Sequence, residues 1–246
     1  MKLTLRRRLM TSVVLTLCTL NAYAGISIDR TRIIVNAAEG SASAELVNNN
    51  KELPFLAQSW MENSNHQKIT TPLIVTPPIQ RIDPGEKDTV QINALPGAKQ
   101  LPQDRETMFY LNVREIPPKP KHANTLQLTL QSRIKVFYRP ESLKTQIHTR
   151  PWQEKLQFTR LSDRKWQVSN PTPYYVILLG LSKDKSIDNN KMLTDFTGLT
   201  LAPFGKAEFG IQQSMVSDFY LFYVNDFGGH PMIPFHCQGQ QCLAVK

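Results

Sequence analysis

Cysteine, histidine and long apolar runs are all scarce in this chain, and each scarcity closes off a class of function. Only three cysteines and five histidines occur in 246 residues. His66, His122, His148 and His230 are scattered, and only His236 neighbours a cysteine, so nothing has the spacing of a metal site. There is no G-x-S-x-G elbow, no H-E-x-x-H pair, no phosphate-binding loop and no cysteine placed as a nucleophile. Asp29, Arg30 and Arg32 could form a catalytic cluster, but charged residues on a first strand are more commonly exposed or in structural pairs. A non-enzyme with neither metal nor cofactor is expected. Leu9 to Leu20 is the one sustained apolar run, and twelve residues are too few for a span that takes about 20. Stable membrane insertion is therefore not expected.

That run is better read as part of a targeting segment over residues 1–24. Lys2, Arg6, Arg7 and Arg8 form a positive head, and Ala22-Tyr23-Ala24 is an A-x-A cleavage signal. A lipoprotein reading of Cys18 fails because Leu17 stands where a small residue is wanted, and ordinary secretion outweighs twin-arginine export. The full chain carries a formal +9; losing four basic and no acidic residues leaves 25 basic against 20 acidic, about +5. Such dispersed, moderate charge gives no reason to expect nucleic acid as a partner. Export also leaves two cysteines, Cys237 and Cys242. In an oxidising compartment this close pair most simply forms one disulfide, closing a small loop for about 3 kcal/mol or less.

What is abundant is strand signal. Ile26 to Val35, Ser43 to Asn48, Phe55 to Met61, Thr89 to Ile92, Met108 to Val113 and Leu126 to Tyr138 read as strands. They are separated by turn-forming runs such as Asp83-Pro84-Gly85 and Leu95-Pro96-Gly97. A second series covers Lys155 to Leu161, Lys165 to Ser169, Tyr174 to Leu181, Leu199 to Leu201, Ala207 to Ile211, Tyr220 to Val224 and Met232 to Cys237. The polar, proline-bounded Pro140 to Pro151 reads as a linker. The expectation is all-β: a first sandwich over residues 25–142, a linker over 143–150 and a second, smaller sandwich over 151–246.

One stretch stands apart. From Thr125 to Pro140, Leu126, Leu128 and Leu130 alternate with Thr125, Gln127 and Thr129 before the sequence turns basic and aromatic. Three leucines on one face of a strand suit either this domain's own core or pairing with another protein at a free sheet edge. Alternation alone does not decide between them.

Several segments together resemble a family. Gly25-Ile-Ser-Ile-Asp-Arg-Thr-Arg32, Leu53-Pro-Phe-Leu-Ala-Gln-Ser-Trp60, Thr76-Pro-Pro-Ile-Gln-Arg-Ile-Asp-Pro-Gly85 and Leu101-Pro-Gln-Asp-Arg-Glu106 are similar to periplasmic pilus-assembly chaperones of the PapD type. Arg114-Glu-Ile-Pro-Pro118, Ile134-Lys-Val-Phe-Tyr-Arg-Pro140, Asn170-Pro-Thr-Pro-Tyr-Tyr175 and Val224-Asn-Asp-Phe-Gly-Gly229 extend the likeness, in order, across the chain after residue 24.

The resemblance implies two immunoglobulin-like β-sandwich domains in an L-shaped (boomerang) arrangement with an interdomain cleft. It implies a periplasmic, ATP-independent chaperone that binds, folds and caps pilus (fimbrial) subunits and an adhesin, then delivers them to an outer-membrane usher. A pilus subunit lacks its last strand, and the chaperone supplies one by donor-strand complementation. Leu126, Leu128 and Leu130 would fill the subunit's groove. Arg32 and Lys135 would anchor its C-terminal carboxylate, and Glu106, Arg139 and Asp226 would form an interdomain ionic network. Lys135 has the opposite parity from the leucines, so it faces away from them unless a bulge or strong twist intervenes. The connection from near Pro118 to near Asn124, with Lys119, Lys121 and His122, favours the family's short-loop branch. An unpaired apolar edge also predicts self-association when no subunit is bound. A fibre subunit or adhesin would instead be one incomplete sandwich with an N-terminal donor extension, and a secreted enzyme would need a catalytic constellation.

Overall fold

The computed structural model of the chain describes residues 25–120, 125–144, 150–186, 192–196, 198–212 and 217–245. The expected targeting segment, residues 1–24, lies outside them, as do Lys121 and His122. Within them the regular structure is nearly all strand, as two immunoglobulin-like β-sandwich domains require.

The N-terminal unit holds ten strands: β1 (Ile26–Ile28), β2 (Arg32–Asn36), β3 (Ser41–Asn48), β4 (Phe55–Glu62), β5 (Lys68–Ile69), β6 (Leu73–Thr76), β7 (Ile79–Ile82), β8 (Lys87–Ala94), β9 (Thr107–Ile116) and β10 (Gln131–Arg139). One sheet runs β1-β3-β8-β6. The other runs β2-β10-β9-β4-β5, with β7 also on β4. Alternate residues of both sheets (Leu46, Val90 and Ile92 from one, Val35, Leu111 and Val136 from the other) bury one shared core.

The first segment, expected as one strand from Ile26 to Val35, is two strands in different sheets. Its apolar parity records the switch: Ile26 and Ile28 are even, whereas the core residues Ile33 and Val35 are odd. The intervening Asp29 accepts the Glu45 backbone N–H at 2.9 Å, fixing the crossover.

The C-terminal unit holds β11 (Gln157–Arg160), β12 (Lys165–Ser169), β13 (Val176–Ser182), β14 (Leu199–Leu201), β15 (Lys206–Gly210), β16 (Asp218–Val224), β17 (Met232–Gln238) and β18 (Gln241–Ala244). They form one hydrogen-bonded path, β14-β13-β16-β17-β18-β11-β12-β15, that folds over a common core. Phe158 meets Phe209, Phe219 and Phe235 edge-on there. Cys237 and Cys242 are directly opposite on β17 and β18 and are disulfide-bonded.

Between the units, the expected polar linker begins with a helical turn, α1 (Glu141–Lys144). Leu143 on this turn is buried, and its carbonyl accepts the Tyr174 hydroxyl at 3.1 Å. That hydrogen bond ties this end of the linker to the C-terminal unit, while the Ser142 hydroxyl donates to the Gln103 carbonyl of the N-terminal unit.

Candidate functional site

The site is built on β10 and its neighbours. Ile134, Val136 and Tyr138 lie in the N-terminal core, so the odd residues Gln131, Arg133, Lys135, Phe137 and Arg139 occupy the outer face. The expected strand from Leu126 to Tyr138 is shorter at its start: pairing begins at Gln131. The connection from β9 accordingly spans residues 117–130, and the second strand starts at Gln131 rather than near Asn124.

The three leucines share the core parity of β10 but overrun its end, where no facing sheet covers them. Leu126 is 84% exposed, Leu128 77% and Leu130 53%. They therefore do not serve this domain's own core. Their segment is tied down locally. Glu115 accepts the Leu130 backbone N–H at 3.0 Å, its own N–H donates to the Leu130 carbonyl at 3.1 Å, and Gln127 donates to the Pro118 carbonyl at 2.6 Å. The other Glu115 oxygen accepts the Ile26 N–H at 2.9 Å, which joins this segment to β1.

The edge of β10 is half open. β2 pairs with it in parallel from Lys135 to Arg139, and the first paired residue of β2 is Arg32, directly opposite Lys135. From Gln131 to Ile134 the same side of β10 has no partner strand among the described residues. Arg32 and Lys135 therefore stand side by side, on the outer face, where the open edge stops. Their parity relative to the leucines is as the alternation requires, with no bulge between.

Both cations are held against their preference for water. Arg32 is buried beneath its surroundings, its guanidinium 5.6 Å from the Phe137 ring centre, and its Nε and Nη2 have no hydrogen-bond partner among the described residues. Burial pushes its pKa down, against the pull of Asp226 and Glu106. Lys135 is also pushed down, first by burial and then by repulsion from Arg32. Two adjacent, under-solvated cations, one with unused donors, are electrostatically prepared for an anion.

Outward from this pair the same face continues as rows across three strands. The register sets Glu62, Tyr110 and Lys135 in one row, Trp60, Asn112 and Arg133 in the next, and Gln58, Arg114 and Gln131 in a third. Sequence reasoning missed this grid; the period-two positions of β4 and β9 would have disclosed it had the pairing register been known.

Glu106, Arg139 and Asp226 meet across the two units. Arg139 reaches a Glu106 oxygen at 2.7 Å and an Asp226 oxygen at 2.9 Å. The second Glu106 oxygen accepts the Tyr175 N–H at 2.7 Å. The guanidinium also packs over Tyr174, and Phe137 packs on Tyr175 at 5.3 Å. Burial opposes the Arg139 charge but Glu106 and Asp226 outweigh it, so its pKa rises. Burial pushes the Glu106 carboxyl up as well, despite Arg139. Asp29 and Arg30, considered above as catalytic partners, are an exposed pair at 3.6 Å.

Against known proteins, residues 25–144 match the family described as "Pili and flagellar-assembly chaperone, PapD N-terminal domain", and residues 151–235 match "Pili assembly chaperone PapD, C-terminal domain". The chain is 48% identical over 219 residues to the chaperone protein PmfD of Proteus mirabilis, covering 89% of this chain and 86% of that protein. It is 42% identical over 227 residues to the chaperone protein PapD of Escherichia coli, covering 92% of each. Among solved structures, the Salmonella enterica SafB chaperone in complex with SafA pilin shares the fold. There the TM-score is 0.71 and identity 24%, over 89% of this chain and 98% of that one.

Proposed function

The chain belongs to the PapD family of pilus-assembly chaperones, and on that footing we propose that it holds each subunit through residues 126–134, with Arg32 and Lys135 as the stop. The observation that carries this reading is the trio of exposed, same-parity leucines leading into a strand edge that ends at two unneutralised cations.

A direction follows from this reading. A strand added to the open edge of β10 with its C-terminal carboxylate against Arg32 and Lys135 continues the line of β2. Since β2 is parallel to β10, the added strand also runs parallel. Main-chain hydrogen bonds supply affinity that tolerates sequence differences among subunits, and the leucines supply apolar burial. Each leucine, fully buried, contributes roughly 1.5–3 kcal/mol before ordering costs. The partners are therefore pilus subunits and the adhesin, with an outer-membrane usher as the receiver and the periplasm as the compartment. Residues 1–24 would direct export, and residues 143–150 would join domains over 25–142 and 151–246. Without a subunit, the same leucines favour self-association.

The test is co-expression of the chain with pilin subunits from the same genomic neighbourhood, followed by isolation of whatever copurifies. A one-to-one complex supports the reading; no complex with any pilin, from a folded and exported chain, overturns it.

The Glu106, Arg139 and Asp226 cluster would set the angle between domains rather than add stability, because burying the charges offsets most of their attraction. The raised Glu106 pKa gives the sign: an acid with an elevated folded-state pKa favours folding below its unfolded pKa and loses that contribution as pH rises through the folded value. Glu106→Gln mimics the protonated form and keeps an acceptor for the Tyr175 N–H. It should change unfolding free energy by no more than about 1–2 kcal/mol, while small-angle scattering shows a broader spread of domain angles. An unchanged spread would leave the cluster without that role.

A further inference from the structure

Beside Arg32 lies a cavity of about 270 Å³, lined by Asp29, Arg30, Thr31 and Arg32 from the N-terminal unit and by Asp226, Phe227 and Gly228 from the C-terminal unit. Its size is roughly nine waters at about 30 Å³ each, enough for a carboxylate and a side chain. Phe227 is 96% exposed, at the tip of a turn. Such exposure is unusual for an aromatic held on a built turn, and this one is well built. The Asn225 side-chain oxygen accepts N–H groups from Phe227 at 3.0 Å and Gly229 at 2.8 Å, and its carbonyl accepts the Gly228 N–H at 3.0 Å. Gly228 has φ +82°, and a Cβ there would lie 2.7 Å from the Thr31 hydroxyl. The turn thus packs closely on Thr31 of the other unit, and Phe227 is among the residues that line the cavity.

The two acidic residues at the cavity are already engaged. Asp226 binds Arg139, while Asp29 accepts the Glu45 N–H and pairs with Arg30. Of the described residues lining the cavity, Arg32 is the one with unused buried donors. We propose that this cavity is a selectivity pocket for the last residue of the bound subunit, in which Arg32 takes the terminal carboxylate and Phe227 covers an apolar side chain on that same residue. The inference rests on the anchoring role given to Arg32 above and adds a preference that the anchor alone lacks. A carboxylate clamp accepts any chain end; an aromatic beside it discriminates between a terminal phenylalanine and a terminal glycine.

The experiment is a double-mutant cycle on the full chain after residue 24, using synthetic peptides copied from the C-terminal strand of a copurifying pilin and ending in Phe or in Gly. Wild type should bind the Phe-ending peptide about tenfold more tightly. Phe227→Ala should erase that preference while leaving Gly-ending affinity unchanged, and Phe227→Leu should keep part of it. Arg32→Met should weaken both peptides alike. If Phe227→Ala retains the Phe-over-Gly ratio while Arg32→Met weakens both, the selectivity pocket is refuted and the anchor stands. If Arg32→Met binds as wild type does, or wild type binds neither peptide, the anchor and the pocket fall together.

Discussion

Replacing Leu128 with glutamate should abolish subunit capture while leaving the chaperone folded. The side chain is 77% exposed and outside both cores, so the substitution removes no packing from the free protein. In the complex it would lie in the middle of the apolar trio. Losing its burial costs roughly 1.5–3 kcal/mol, and placing an unpaired carboxylate in an apolar groove costs more than the transfer of any neutral polar group. Together these amount to about a thousandfold or greater loss of affinity. Copurification yield checks the binding and circular dichroism checks the fold. Leu126→Glu and Leu130→Glu should do less, because one sits at the outer end and the other is already half-covered and tied to Glu115. Equal, mild effects at all three positions would argue for loose surface contact instead of groove filling.

Arg32→Met and Lys135→Met should each cut affinity by about ten- to a hundredfold or more, since a charge-assisted hydrogen bond contributes roughly 1.5–3 kcal/mol. Neither should harm the fold. Both cations are held below their ordinary pKa by burial, so the folded state bears a cost for keeping them charged. A methionine of similar length removes that cost, and the melting temperature should hold or rise. Loss of binding together with unimpaired stability is the mark of a residue kept for its partner. The pH dependence has a definite sign. Lys135 in the free protein loses its proton below the usual lysine range, and a carboxylate partner would raise its pKa again. Affinity should therefore be full on the acid side of the free-state value and fall as pH rises through it. Lys135→Met should abolish this alkaline loss.

Much of this was legible in the sequence because strands announce their buried face by alternation. The leucine trio and most strands of both series could be read that way, and the disulfide from the close spacing of Cys237 and Cys242. The position of Glu106, Arg139 and Asp226 could not, since their meeting depends on two units packing together; only the likeness to a family suggested it. The early switch between β1 and β2 was visible as a parity change but reads as a continuous strand when only apolar content is counted. Strand β10 began later than expected because alternation continues through Leu126 to Leu130 whether or not a neighbouring strand is present to pair. β18, a short strand beside β17, carries three apolar residues, Cys242, Leu243 and Ala244, in sequence and so shows no alternation.

The reading stands on residues 126–134 becoming a paired strand of the bound subunit's sandwich. Hydrogen exchange measured on the free chain and on its complex tests this directly. Amides from Leu126 to Thr129, which lie before the first paired residue of β10, should exchange freely alone and become strongly protected in the complex. Leu130 to Ile134, already bonded to Glu115 or paired with β9, and β11 to β18 should change less. A stable complex in which the Leu126 to Thr129 amides exchange as fast as before would contradict strand donation.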